Sequence, residues 1–318
     1  MKFIPIKYIN TYLLFETIGI FVFISFVSVY LKTINISWYF HLPLILFQGL
    51  WFYRFYIVGH EASHRKLFPG NSLKNDFWGG LILLPIITPI NIYRKIHLFH
   101  HAFNRKDPHT SALDTYVSKR KANWLIKAYY YILWYISVFM GGFFIHSFVS
   151  VVLFLFVPPS LSVKISPAFK GWSMTDQLKA IALFGIGVMF HVGIWLVGGK
   201  TVYLYSLGYP MLAFAWLLSL LVYIFHYDTS MGAETRFNVR SLEQIWLFSW
   251  VLMNFNQHAT HHQYPAIPWH ELPRQKIPLP EKYHQRNQTA NSLLKAIINQ
   301  LKGPKIIFLD ETTTSNRS

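Results

Sequence analysis

The chain has 318 residues, 53% of them hydrophobic and 18% aromatic, but only 13% charged, against roughly 25% in an ordinary soluble domain. It has no cysteine, which excludes a disulfide framework, a thiolate zinc site and a cysteine nucleophile. Its formal charge is +16, but 11 of its 29 Lys and Arg lie in 59–127 and ten in 227–318, two blocks flanking apolar segments; this is a basic membrane surface, not the footprint of a nucleic-acid module.

The first apolar run, Tyr12 to Leu31, holds Glu16 near its start. It has the ~20-residue length of a bilayer span and is longer than the apolar core of a signal peptide, so a retained transmembrane helix is expected. A second span is expected from Trp38 to Val58, with Arg54 snorkelling to an interface. The apolar piece 79–92 is too short to cross and carries two prolines, so it reads as a re-entrant or interfacial element. Residues 128–157 are apolar but contain Gly141–Gly142, which permits a hairpin or an interfacial lie. Two further spans are expected at 180–199 and 202–225, then a short apolar helix at 244–255 and a disordered tail at 303–318. The links at 32–37 and 158–179 are poor in Lys and Arg, which puts the remaining polar regions on the cytoplasmic side. The expected fold is a single-domain, all-α integral membrane protein of about four transmembrane helices with a cytoplasmic, His-rich di-metal cap.

Fifteen histidines are present, and eight fall in three short boxes. His60 and His64 stand in "HEASH", His97, His100 and His101 in "HLFHH", and His258, His261 and His262 in "HATHH". Residues at i, i+3 and i+4 share a helix face, so each box presents its imidazoles in one direction. Neutral imidazole suits iron, copper, zinc and nickel. Eight ligands exceed the needs of one metal and suffice for two with positions left open, which points to iron handling dioxygen, with zinc the alternative. His41, His146 and His191 read instead as core or interfacial residues, and His109 and His270 as surface or loop residues.

The spacing "HEASH … HLFHH … HATHH" resembles the three histidine boxes of the membrane fatty acid desaturase superfamily. The stretch "ETRFNVRSLEQIWLFSWVLMNFNQHATHHQYPAIPWHELP", residues 234–273, is similar to the bacterial members, and the likeness covers about 50–273. The resemblance implies two iron ions, with His226 in "IFHYDTSMG" as a ninth ligand. Phe225 stands where the family has a glutamate before that histidine. Asn254 or Asn256 is expected near the metals, and Glu61, Asp107, Asp228 and Glu234 are candidates to orient ligand imidazoles. Pro265, Pro268 and Pro273 suggest a rigid, extended exit from the third box. Arg236 and Arg240 are candidates for an anionic headgroup or carrier phosphate.

The implied activity is oxygen-dependent desaturation of a lipid acyl chain, on a lipid or an acyl thioester. Electrons would come from a separate donor of ferredoxin or cytochrome b5 type with its reductase, because the chain carries no recognisable haem motif. The alternatives are a hydroxylase or carotenoid ketolase of the same superfamily, and a non-catalytic membrane metal-binding protein.

Overall fold

A computed structural model describes residues 5–110 and 112–309. Two long antiparallel helices come first, α1 (Ile9–Thr33) and α2 (Trp38–Ser63). The His60 end of α2 therefore lies beside the start of α1, where Asn10 Nδ2 donates to the Lys66 carbonyl at 3.4 Å. The expected snorkelling of Arg54 does not occur. Its side chain is fully buried and pairs with Glu16 of α1, because a charge in mid-helix is stable there only when an opposite charge and hydrogen-bond acceptors meet it.

Next come α3 (Ser72–Leu83), capped by Asn71, whose side chain accepts from the Lys74 N–H at 2.9 Å, and α4 (Ile90–Phe103). Pro85 and Pro89 interrupt the helical ladder between them, and the two helices meet at 96°. The apolar stretch 79–92 thus forms a bend, as its length and prolines imply. A strand, β1 (Thr115–Ser118), precedes α5 (Trp124–Phe139) and α6 (Gly142–Phe156), which meet at 85°. Gly141 makes that corner with a φ of 81°, a conformation that suits a residue without a Cβ.

A short α7 (Pro159–Ile165) leads to α8 (Met174–Tyr203), which opens on a Ser173–Asp176 capping box. Gly199 breaks α8 with φ 74° and ψ 179°. Across this break the rings of Trp195 and Tyr203 lie 5.2 Å apart and His191 Nδ1 lies 3.4 Å from the Tyr203 hydroxyl. A π-helical turn at Leu204–Gly208 leads into α9 (Tyr209–Val222). Among the described residues, three helical stretches, the third running from Met174 to Val222 across the Gly199 break, are by length and composition long and apolar enough to cross a membrane, or up to five if each bent pair is one span.

The helices that carry the site are packed tightly. A Cβ on Gly49 of α2 would lie 2.6 Å from the Cβ of Ala213 in α9, and one on Gly59 would lie 2.5 Å from Leu83. Around this seam Trp51, Phe52, Phe214, Ile224 and Phe225 form the core, joined by Val251 and Leu252 from the region of α10 (Trp246–Val251). The third box lies on α11 (His258–Gln263). Residues 303–309 are not a disordered tail: β2 (Lys305–Phe308) pairs in parallel with β1, Thr115 opposite Lys305. The Gly303 carbonyl accepts from the Tyr227 hydroxyl at 2.6 Å. The rest of that expected tail, 310–318, lies outside the described residues.

Candidate metal centre

Four pieces of backbone bring the nine histidines together. The C-terminal turn of α2 supplies His60 and leads directly to His64. His97, His100 and His101 come from α4, His226 from just beyond α9, and His258, His261 and His262 from α11. The apolar residues of these segments seat them in the core, and their imidazoles line one buried region.

Within it the rings fall into two groups. His60, His64, His97, His101 and His261 form one, and His100, His226, His258 and His262 the other; in each, one ring nitrogen per residue lies within 4.8 Å of all the others. The partition follows helical geometry, since members four apart (60/64, 97/101, 258/262) stay together. The residues three along from the first of a pair, His100 and His261, turn to the opposite group. His226, expected as the ninth member, stands with its Nε2 3.0 Å from that of His258.

The chemistry of these contacts fits a cation. His97 Nε2 faces His64 Nε2 at 2.8 Å and His101 Nε2 at 3.0 Å, and His101 Nε2 faces His261 Nε2 at 3.1 Å. A neutral imidazole has one N–H and one lone pair, so His97 Nε2 cannot satisfy two such contacts with one proton. Both ring nitrogens of His60 and of His262 are buried without a hydrogen-bond partner. A metal that accepts the converging lone pairs removes both conflicts. Burial holds the imidazoles of His226, His258, His261 and His262 well below the usual histidine range, and neighbouring imidazoles push the same way. His64 is pushed down to about 4, first by burial and then by Lys66 and Arg94. The rings are therefore neutral near pH 7, the form that ligates a metal.

Of the candidate orienting groups, only Glu61 comes near a ligand, at a distance beyond a hydrogen bond. Its carboxylate lies 3.7 Å from His60 Nδ1 and accepts from the Trp269 N–H at 3.3 Å. Asp107 instead accepts from the His109 N–H and the Thr110 hydroxyl, Asp228 pairs with Arg286 at 3.5 Å, and Glu234 accepts from Tyr283. Asn254 and Asn256 belong to neither group: Asn254 donates to the Trp269 carbonyl, and buried Asn256 lies against the Leu242 carbonyl. Arg240 is not available to an external anion, because its buried guanidinium donates to the carbonyls of Tyr227 and Ala290. Arg236 is exposed over the Phe237 ring. The proline-rich exit turns instead of extending, with the Ile267 N–H bonded to the Tyr264 carbonyl and Pro273 opening a short helix, Leu272–Gln275.

Among the other histidines, His41 is buried between Trp38 and Tyr205, and His191 bonds the Pro85 carbonyl. His109 and His146 are exposed and His270 lies beside Trp269, so none of the five joins either group. The sequence reading missed the walls of the centre. Phe225 and Phe255 lie 4.5 and 4.3 Å from the His258 ring, and Tyr93 stacks on His97 at 5.6 Å. Phe225 is marked in the sequence by its place before His226, but nothing in the spacing of Phe255 or Tyr93 separates them from the other aromatics of the chain.

Comparison with known proteins matches residues 36–292 to the fatty acid desaturase family. A protein of Caenorhabditis elegans named for sphingolipid delta(4)-desaturase and C4-monooxygenase activities is 26% identical over 254 residues, which is 77% of this chain and 61% of that protein. An sn-1 oleoyl-lipid 12-desaturase of Picosynechococcus is 33% identical over 66 residues, 21% of this chain and 19% of its own length. An sn-1 acyl-lipid omega-3 desaturase (ferredoxin) of Synechocystis is 35% identical over 66 residues, 21% of this chain and 18% of that protein. The chain thus spans less than two thirds of the length of each. With the family match running through all three histidine boxes and His226, the chain belongs to the fatty acid desaturase family.

Proposed function

We propose that the protein is an integral membrane, oxygen-dependent desaturase of lipid acyl chains. Two irons would be held by His60, His64, His97, His101 and His261 on one side and by His100, His226, His258 and His262 on the other. The observation that carries this reading is the gathering of nine imidazoles, six buried and three half-buried, into groups of five and four. Iron bound there supplies the oxidising power that dioxygen activation and hydrogen removal from an unactivated methylene demand, and that no side chain has. The chain's own contribution is to hold the imidazoles neutral, to fix the ring of His60 beside Glu61, and to exclude water with Phe225, Phe255 and Tyr93.

In this reading the chain crosses four times, by α1, α2 and the two segments on either side of Gly199, so that both His-bearing regions would share one face of the bilayer. The concentration of Lys and Arg there makes that face cytoplasmic. A centre at the end of α2 then meets both an acyl chain in the membrane and a water-side electron donor. One cyanobacterial relative is named for ferredoxin, and a small soluble donor of that class is the partner we assign.

The test is expression in a bacterium with few unsaturated lipids, with total fatty acids measured by mass spectrometry with and without oxygen. An oxygen-dependent product two mass units lighter, absent from His261→Ala, is expected. Unchanged acyl chains alongside bound iron would refute the substrate assignment. Hydroxylation is the second reading, favoured by the relative whose name joins desaturase and monooxygenase; it requires a product sixteen mass units heavier.

A further inference from the structure

Between the start of α1 and the stretch from Lys66 to Trp78, and lined by none of the nine clustered histidines, two cavities of about 260 and 320 Å³ share Thr11 and Phe68 in their walls. Together they form one groove that changes character along its length. Its deeper part is lined by Leu14, Phe15, Ile18 and Trp78. Thr11, Leu14, Phe15 and Ile18 share one helix face, and Thr11 to Ile18 runs roughly 10 Å toward the bilayer centre at 1.5 Å per residue. The mouth, at the His60 end of the helices, is bordered by Lys7, Lys66 and Lys74, with His270 and Glu271 on its far rim. Among the described residues, none of the three lysines has a carboxylate within 4.0 Å. The groove is anchored to the centre: Asn10 in its wall accepts from the Trp269 indole at 2.8 Å, and the Trp269 N–H bonds Glu61 beside His60.

Lys7 and Lys74 rest over the rings of Tyr8 and Phe68, and ammonium groups without a carboxylate partner at an interfacial mouth above an apolar slot match an amphiphile with an anionic head and a hydrocarbon tail. We propose that this groove binds one anionic glycerophospholipid from the surrounding bilayer, its phosphate at Lys7, Lys66 and Lys74 and one acyl chain against Phe15, Ile18 and Trp78. The inference rests on α1 lying in the membrane, as in the function proposed above, and not on the chemistry of the metal centre. It makes this groove the place where the protein selects lipid by headgroup charge.

Trp78 reports occupancy directly. The intact protein is reconstituted in vesicles containing phosphatidylglycerol or phosphatidylcholine with brominated acyl chains. Quenching by bromine is measured for the protein and for Trp78→Phe, and the difference isolates Trp78. The Trp78 component should be quenched more strongly by the anionic lipid, with its apparent preference worth roughly 5-fold per ammonium–phosphate contact. The Lys7→Gln/Lys66→Gln/Lys74→Gln protein should lose that preference, and Thr11→Phe, which narrows the groove from an exposed position, should weaken quenching by both lipids. An unchanged melting temperature shows that each variant is folded. Equal quenching by the two lipids, or a preference that survives the triple substitution, overturns the proposal; so does displacement by free inorganic phosphate, which would make a soluble anion the occupant. His261→Ala should keep the full preference, because the readout needs no turnover. A failed lipid preference and a failed desaturase reading are thereby told apart.

Discussion

Arg54 offers a sharp test of how the centre is held. Its guanidinium is fully buried in α2, pairs with Glu16 of α1, and donates to the Thr17 hydroxyl at 3.0 Å and to the backbone carbonyls of Trp250 and Val251. The faces of Trp51 and Trp250 flank it at 4.9 and 5.4 Å, and the Trp250 indole donates to Glu16 at 3.2 Å. One cation thus joins α1 and α2 to the end of α10, seven residues before His258. Arg54→Met strands the Glu16 carboxylate, only 12% exposed, and should cost about 3–5 kcal/mol, as breaking one side of a buried pair does. Adding Glu16→Gln removes the stranded charge, yet leaves the two carbonyls without their donor at about 1–3 kcal/mol for an unsatisfied buried group. The double variant should therefore be more stable than Arg54→Met and less stable than the parent. Chemical denaturation of the four proteins in detergent gives the cycle, and iron retained after chelator challenge should follow the same order. If Arg54→Met melts like the parent, or Glu16→Gln restores nothing to it, the pair does not hold α10 as described.

Three further outcomes are expected. His226→Ala leaves three histidines in its group, whereas His64→Ala leaves four in the other, so iron content by mass spectrometry should fall further in His226→Ala; equal losses would refute two separate groups. The metal-free protein should lose stability as pH falls below about 6.5: the unfolded chain then takes up protons that buried His226, His258, His261 and His262 refuse, at up to roughly 1.4 kcal/mol per pH unit for each. Melting that is flat from pH 7.5 to 5 would contradict their burial as neutral rings. Gly49→Ala drives a methyl into Ala213 and the Phe214 backbone and should destabilise the α2–α9 seam by about 1–3 kcal/mol, read as a lower melting temperature; an unchanged value means the seam is looser than described.

The long apolar helices and the three boxes are legible in the sequence because each rests on a local signal, a run of apolar residues or an i, i+3, i+4 spacing. The bends at Pro85–Pro89 and Gly141 are legible for the same reason. Spacing cannot reveal which imidazole faces which, because His100 and His97 differ only by a turn of α4 yet belong to different groups. Arg54 was misjudged because its partner lies 38 positions away, and a snorkelling arginine and a paired one look alike in a linear reading. Arg240 was misjudged likewise, since its acceptors are main-chain carbonyls that leave no trace in residue types. The β1–β2 pair joins segments about 190 residues apart, and neither four-residue strand announces itself.

The interleaving of the two histidine groups has a mechanical consequence. Because α4 and α11 each contribute to both, neither group can be displaced without the other. A shift or rotation of either helix therefore alters both groups at once. A substitution that tilts α4 or α11 is expected to lower metal retention in both groups, whereas one confined to a single imidazole is expected to fall mainly on its own group.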